Sequence, residues 1–453
     1  MSKLLALRAF VALALFGLAL ASCTTANGGE AAGEAGGGDM SAGDCGDGGG
    51  GSGVTADGTA YVDELASADA EFAFSLFEQL STREGNLFFS PHSILTALSM
   101  TYVGARGRTE TQMADALEMP ALGTEGDEMF TPEYRERLAA GFGALSDGLT
   151  SDASDETHVF AEANALWHQE DYSFLERFLA LNRDGFGAGV EALDFHEDWE
   201  GARATINDWV EEKTLGKIEE LIRPGDLDNL VRIVLTNAVY FKGLWATQFD
   251  PADTREAPFH VRPGDPSADV VAPMMSRSGE YAFARIEDPG LALLELPYRG
   301  GDASMLVLLP DEEMAGGLSA LEGKLTPALL ESWTSRMGER EVLVAIPRFE
   351  MTWGTENIIP DLEALGILDL FNDAADLSGM DGSHELYVSK VLHKAFVEVN
   401  EEGTEAAAAT AVVGRLKASR PLMFRADRPF LFLIRDTGTG AVLFMGRVAD
   451  PTA

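Results

Sequence analysis

Val388-Ser389-Lys390-Val391-Leu392-His393-Lys394-Ala395-Phe396-Val397-Glu398-Val399-Asn400-Glu401-Glu402-Gly403-Thr404-Glu405-Ala406-Ala407-Ala408-Ala409-Thr410-Ala411 is the stretch on which the reading of this chain turns. Its first half belongs to Leu386–Val399, a run rich in β-branched and aromatic residues that reads as a strand. The second half, Gly403 to Ala411, would be assigned to a helix on propensity, because Ala is the best helix former. Its surroundings argue otherwise. It lies between strand-like runs and opens on a glycine, which suits a hinge. Treated as a strand, it places alternate side chains on one face. Thr404, Ala406, Ala408, Thr410 and Val412 then share a face and are all small or apolar, while Glu405, the only charge before Arg415, takes the other. An unpartnered charge on the buried face would cost several kcal/mol, so this parity carries information.

Working outward, the composition is globular from Tyr61 to the end of the 453 residues. Leu65, Phe72, Leu76, Phe77 and Leu80 recur at helical spacing, predicting an amphipathic helix over Leu65–Leu80. Ser93–Tyr102 and Thr109–Leu117 also read as helices, parted by the turn Gly104-Ala105-Arg106-Gly107. Strand character then dominates, in Arg232–Phe241, Ser304–Leu309, Val342–Ile346, Leu386–Val399, Phe430–Ile434 and Val442–Met445. Helices early and strands late, without βα alternation, predict an α+β domain with mainly antiparallel sheets over residues 60–453.

The N-terminal part reads differently. Lys3 and Arg8 precede a run of 12 apolar residues, Ala9 to Leu20, too short to span a bilayer. Leu20-Ala21-Ser22-Cys23 then resembles a bacterial lipoprotein processing site, so residues 1–22 are expected to be a signal peptide and Cys23 a lipidated N-terminus. Acyl chains contribute ~0.8 kcal/mol per buried methylene and would hold the protein at a membrane without a spanning helix. Between Asn27 and Gly53, 13 of 27 residues are Gly, with five acids and no base. Residues 23–59 therefore read as a flexible acidic tether, spanning roughly 30–36 Å. The only other cysteine, Cys45, lies in that tether, so no disulfide is expected within the domain. The expected location is exported and lipid-anchored, at an outer membrane, cell surface or periplasm, or extracellular.

Charge and motifs exclude several functions. The 33 Lys and Arg stand against 74 acids, a formal charge of −41, with no basic cluster. Nucleic acid and heparin-like polyanions are therefore not expected as partners. The acidity reads instead as adaptation to an exposed or salty setting. No Gly-x-Ser-x-Gly elbow, His-Glu-x-x-His, phosphate loop or dinucleotide fingerprint occurs. His196-Glu197 and His384-Glu385 lack a second His at metal-site spacing. No metal, cofactor or turnover chemistry is expected.

Residues 60–453 resemble the serpin family from end to end. Asn86-Leu87-Phe88-Phe89-Ser90-Pro91-His92-Ser93-Ile94 is similar to the family's entry into its second helix, and Thr236-Asn237-Ala238-Val239-Tyr240-Phe241-Lys242-Gly243-Leu244-Trp245 to a strand of its main sheet. Leu296-Pro297-Tyr298, Leu308-Leu309-Pro310, Pro347-Arg348-Phe349 and Ala375-Asp376-Leu377-Ser378-Gly379-Met380 follow in family order, then Val388 to Glu405, Arg428-Pro429-Phe430-Leu431-Phe432 and Phe444-Met445-Gly446-Arg447-Val448. Leu377 departs from the family, which often has an aromatic there.

The resemblance implies three mainly antiparallel sheets with packed helices and an exposed reactive-centre loop at about residues 401–424. After cleavage that loop enters the main sheet as a new strand, dragging the acylated protease with it, a form of strand addition. The expected function is irreversible suicide inhibition; the alternative is a non-inhibitory serpin serving as carrier, chaperone or simple protease substrate. The small residues Gly403, Thr404, Ala406, Ala407, Ala408 and Ala409, with Glu405 on the solvent side, favour inhibition. Roughly a dozen new backbone hydrogen bonds at about 0.5–1.5 kcal/mol each would supply on the order of 10 kcal/mol. Counting sixteen positions from the hinge acid Glu401 places the bait bond at Lys417-Ala418, with Arg415 and Arg420 as alternatives. Pro421 disfavours cleavage after Arg420. A basic bait residue implies a protease with an acidic specificity pocket, a trypsin-like serine protease met by a monomeric inhibitor. The resemblance also implies a polar cluster of Ser90, Ser93, Asn237 and His393 beneath the opening sheet, Trp245 at the point of first insertion, and an exposed ion pair between Glu401 and Arg348.

Overall fold

The predicted helical periodicities appear as α1 (Val62–Leu80), α2 (Pro91–Tyr102) and α3 (Gly107–Ala116), and a further helix, α4, spans Pro132–Leu149. Ser90 caps α2, its hydroxyl accepting from the Ser93 N–H at 3.2 Å, and Pro91 occupies the first turn, where a missing N–H is tolerated. These elements come from a computed structural model that describes residues 57–122, 130–149, 158–314, 316–404 and 422–453.

The strands are β1 (Leu87–Phe89), β2 (His158–Gln169), β3 (Gly189–Leu193), β4 (Ile233–Leu244), β5 (Arg255–Phe259), β6 (Val270–Ile286), β7 (Leu291–Pro297) and β8 (Ala303–Pro310). They continue with β9 (Gly338–Pro347), β10 (Phe349–Asn357), β11 (Lys390–Val399), β12 (Gly403–Thr404), β13 (Leu422–Arg425), β14 (Phe430–Asp436) and β15 (Val442–Val448). One six-stranded sheet runs β10-β11-β12-β4-β2-β3. A nine-stranded sheet runs β1-β15-β14-β8-β7-β6-β9-β13, with β5 also on β6. All pairings are antiparallel except β11 with β4, β13 with β9 and β2 with β3.

The α+β class holds, but hydrogen bonding joins two of the three expected sheets. The 17-residue β6 is the reason: it pairs with β5 over Val270–Met274, with β9 over Met274–Phe283, and with β7 over Phe283–Ile286. Strand structure also begins earlier than expected, at the short β1 and then at β2, whose Ala-rich sequence masks its β character.

The six-stranded sheet is covered on both sides. Leu235, Val239 and Phe241 of β4 enter the main core, whereas Val234 and Ala238 join a second cluster with Ile206 and Val210 of the Trp199–Lys213 helix. Burial on both faces explains why β4 carries apolar residues on both faces instead of alternating with surface residues.

Candidate functional site: a parted strand pair and its hinge

β4 and β11 run side by side in parallel from Val234 with Lys390 to Tyr240 with Phe396. Beyond that point they no longer pair with each other. β12 stands between them: Thr404 pairs with Val399 of β11 and with Gly243 of β4, and Gly403 pairs with Leu244. The two residues after the hinge are thus already a short strand, antiparallel to both neighbours. Glycine is required at 403, since a Cβ there would lie 2.0 Å from the Gly243 carbonyl oxygen. Thr404 is fully buried, on the inward face its parity predicts, and its hydroxyl bonds the Tyr298 hydroxyl at 2.7 Å.

The chain leading to this wedge is held residue by residue. The Trp245 indole N–H donates to the Asn400 carbonyl at 3.0 Å, and the Trp245 backbone N–H to that of Glu402 at 2.9 Å. The Phe249 N–H donates to the Glu401 carbonyl at 2.8 Å. Trp245 stacks on Tyr298, with centroids 4.7 Å apart and planes at 10°. Burial pushes the Tyr298 phenol up, so it stays protonated and able to donate to Thr404. The expected partner of Glu401 is present, with Arg348 Nη1 at 3.6 Å from Oε2, but only the arginine end of the pair is exposed. Glu401 is buried, and the Thr254 hydroxyl donates to its Oε1 at 2.7 Å.

At the paired end of the seam, the structure brings Ser90, Ser93, Asn237 and His393 together. The Ser90 N–H donates to His393 Nε2 at 3.3 Å, which leaves Nδ1 as the protonated nitrogen facing Asn237 Oδ1. Asn237 Nδ2 donates to both Ser93 Oγ and Asn164 Oδ1, and Ser93 Oγ donates to Asn164 Oδ1 at 3.1 Å. The result is a satisfied network linking α2, β2, β4 and β11. Burial alone pushes His393 down to about 3, so it is neutral.

A second buried histidine lies next to this network. His92 of α2 is fully buried; its Nδ1 is 3.2 Å from Asp69 of α1, and its Nε2 is 4.0 Å from Glu162 of β2. The other Asp69 oxygen accepts the Val442 N–H of β15 at 2.7 Å. Burial disfavours charge on His92, but Glu162 and then Asp69 outweigh it and hold the pKa above the ordinary value.

Asn164, Tyr298, Thr254 and the Asp69–His92–Glu162 group were not singled out in the sequence. Asn164 was the most accessible of these, as a polar residue amid Ala161 to Ala165. The bait residues Arg415, Lys417, Ala418 and Arg420, the hinge residues Glu405, Ala406, Ala407, Ala408 and Ala409, and Cys23 lie outside the described residues. Among the described residues, no group of three or more His, Cys, Asp or Glu is arranged to hold a metal ion.

The fold agrees with what known proteins show. The family model described as Serpin (serine protease inhibitor) matches residues 67–451, and the chain belongs to that family. It is 39% identical over 398 residues to the human leukocyte elastase inhibitor, covering 86% of this chain and all of that one. It is 36% identical to mouse antithrombin-III, covering 86% and 82% of the two chains. Uncleaved ovalbumin superposes with a TM-score of 0.75 at 33% identity, over 85% of this chain and all of that one. Relatives named as inhibitors support protease inhibition as the general activity.

Proposed function

We propose that this serpin is an irreversible suicide inhibitor of trypsin-like serine proteases. The observation that carries the reading is β12, which sits between the parted strands antiparallel to both, the orientation that a loop strand inserted along the seam would take. In the proposed reaction the protease serine oxygen attacks the Lys417 carbonyl. The Lys417–Ala418 bond breaks, the new amine at Ala418 takes a proton, and Lys417 remains as an acyl ester on the protease. Insertion of the small residues between β4 and β11 then carries that ester away from its docking position before water can hydrolyse it. The inhibitor turns over no substrate and needs no cofactor.

Mixing the protein with trypsin tests this. The expected result is an SDS-stable adduct together with a released peptide that begins at Ala418 and runs 36 residues to Ala453. Clipping without adduct would instead mark a carrier, chaperone or simple substrate, and a peptide starting at Leu416 or Pro421 would overturn Lys417 as the bait. The sequence before the domain supports export and tethering through lipidated Cys23 at an outer membrane or cell surface. Cys23→Ala should move it from the detergent phase to the aqueous phase.

A further inference from the structure

β13 is the last strand at one end of the nine-stranded sheet, and the register fixes which residues share its outer face. Met423 of β13 pairs with Leu343 of β9, which pairs with Ser278 of β6. Two residues back along β9, Glu341 pairs with Glu280, and two further back Glu339 pairs with Ala282. Alternation puts all of these on one face. Their accessibility agrees: Met423 is 63% exposed, Ser278, Glu280 and Glu339 are exposed, and Leu343 and Glu341 are half-buried. Val342, Val344 and Phe424, on the other face, are buried. The outer face thus carries an apolar step beside three carboxylates.

Two features distinguish it from an ordinary solvated face. Glu280 and Glu341 stand directly opposite each other, and like charges so placed are destabilising. Arg277 and Arg340 alternate to the other face, and Arg425, which shares this one, is committed to Asp427 at 2.7 Å. Edge strands are also usually guarded by charged side chains, yet β13 begins with Leu422 and Met423, both exposed. Neither feature serves the free inhibitor. A partner surface that is apolar and basic would satisfy both.

The bait segment says which partner comes within reach. Leu422 follows Lys417 by five residues, which span at most about 18 Å. A compact protease of about 220 residues has a radius of gyration of roughly 17 Å, so its body reaches the β13 end of this face when Lys417 fills its pocket. We propose that the outer face of β6, β9 and β13 is a second docking surface for the target protease, fitting trypsin-like enzymes whose cleft is rimmed by basic side chains. The proposal rests on the inhibitory reading and adds the surface that selects among proteases sharing one acidic pocket. Its carboxylates act chiefly on encounter, and Met423 with Leu343 on residence.

The test uses cationic and anionic trypsin, each inactivated by replacing its catalytic serine with alanine, binding to the intact protein on a surface plasmon resonance chip. In about 0.05 M salt the cationic enzyme should bind roughly tenfold tighter. Glu280→Gln, Glu339→Gln and Glu341→Gln together should cut that preference about fivefold or more. Neutralising as many exposed acids at the end of β2 away from the hinge, with Glu170→Gln, Asp171→Asn and Glu191→Gln, should change it less than about twofold. Met423→Ser should speed dissociation of both enzymes about threefold, and Met423→Leu should not. Equal affinity or no binding of the two enzymes, equal effects of near and far neutralisation, or unchanged dissociation from Met423→Ser would each overturn the proposal. Inactive trypsin cannot cleave the loop, so the adduct formed with active trypsin reports on the inhibitory reading separately.

Discussion

The two ends of the β4–β11 seam are built from one pair of strands and behave differently. At the paired end the strands bond each other directly from Lys390 to Phe396, above a satisfied polar network of buried side chains. At the parted end the same strands bond β12 instead. The exchange of partners that insertion requires is therefore already made for two residues. Opening the rest means repeating it down the seam, each step trading a direct strand–strand pairing for pairings to a new strand. On the proposed mechanism, the parted end would start the process and the paired end would resist it.

The comparison breaks most severely at Thr404. Thr404→Arg places a charge where the side chain is fully buried, at a cost of several kcal/mol, so adduct yield should fall by roughly tenfold or more while trypsin still cleaves the loop. Full adduct stoichiometry in that variant, read on denaturing gels, would refute the inward parity. At the other end, Asn237→Ala strands the His393 Nδ1–H and its serine and asparagine neighbours. Each unsatisfied group costs roughly 1–3 kcal/mol, so the intact protein should melt several degrees lower by calorimetry.

The two buried histidines sharpen the contrast through pH. Below 6.5 an unfolded histidine takes a proton that folded His393 does not accept until about 3. Stability should therefore fall as pH drops through that window, by up to about 1.4 kcal/mol per unit. His92 acts with the opposite sign, because its folded pKa is raised. Its contribution is complete below 6.5 and is lost as pH rises through the folded value. Denaturant midpoints against pH should show both limbs, and His92→Gln should flatten only the alkaline one. The smallest effect is expected from Arg348→Ala, which removes a half-exposed partner 3.6 Å from Glu401. The loss should be about 1 kcal/mol or less, seen as a small change in the inhibition rate constant.

Much of this geometry was legible because period-2 parity survives in the sequence: Thr404 is buried where alternation puts it. The polar quartet was legible only through family likeness, since Ser90, Asn237 and His393 lie far apart in the chain. Asn164 escaped because β2 is rich in alanine, a residue with weak strand preference. The joined sheets escaped because the length of β6 shows only in its pairing. Buried pairs such as Asp69 with His92 leave no local signature, as each residue alone reads as surface.

The central claim is that the native molecule is metastable and that a cleaved loop filling the seam releases the stored energy. The most direct measurement is the thermal unfolding of protein nicked once in the loop, set beside the intact protein in the same buffer. The account predicts a midpoint tens of degrees higher for the nicked form, in line with on the order of 10 kcal/mol of new backbone hydrogen bonding. A nicked form that melts with the intact one would contradict it.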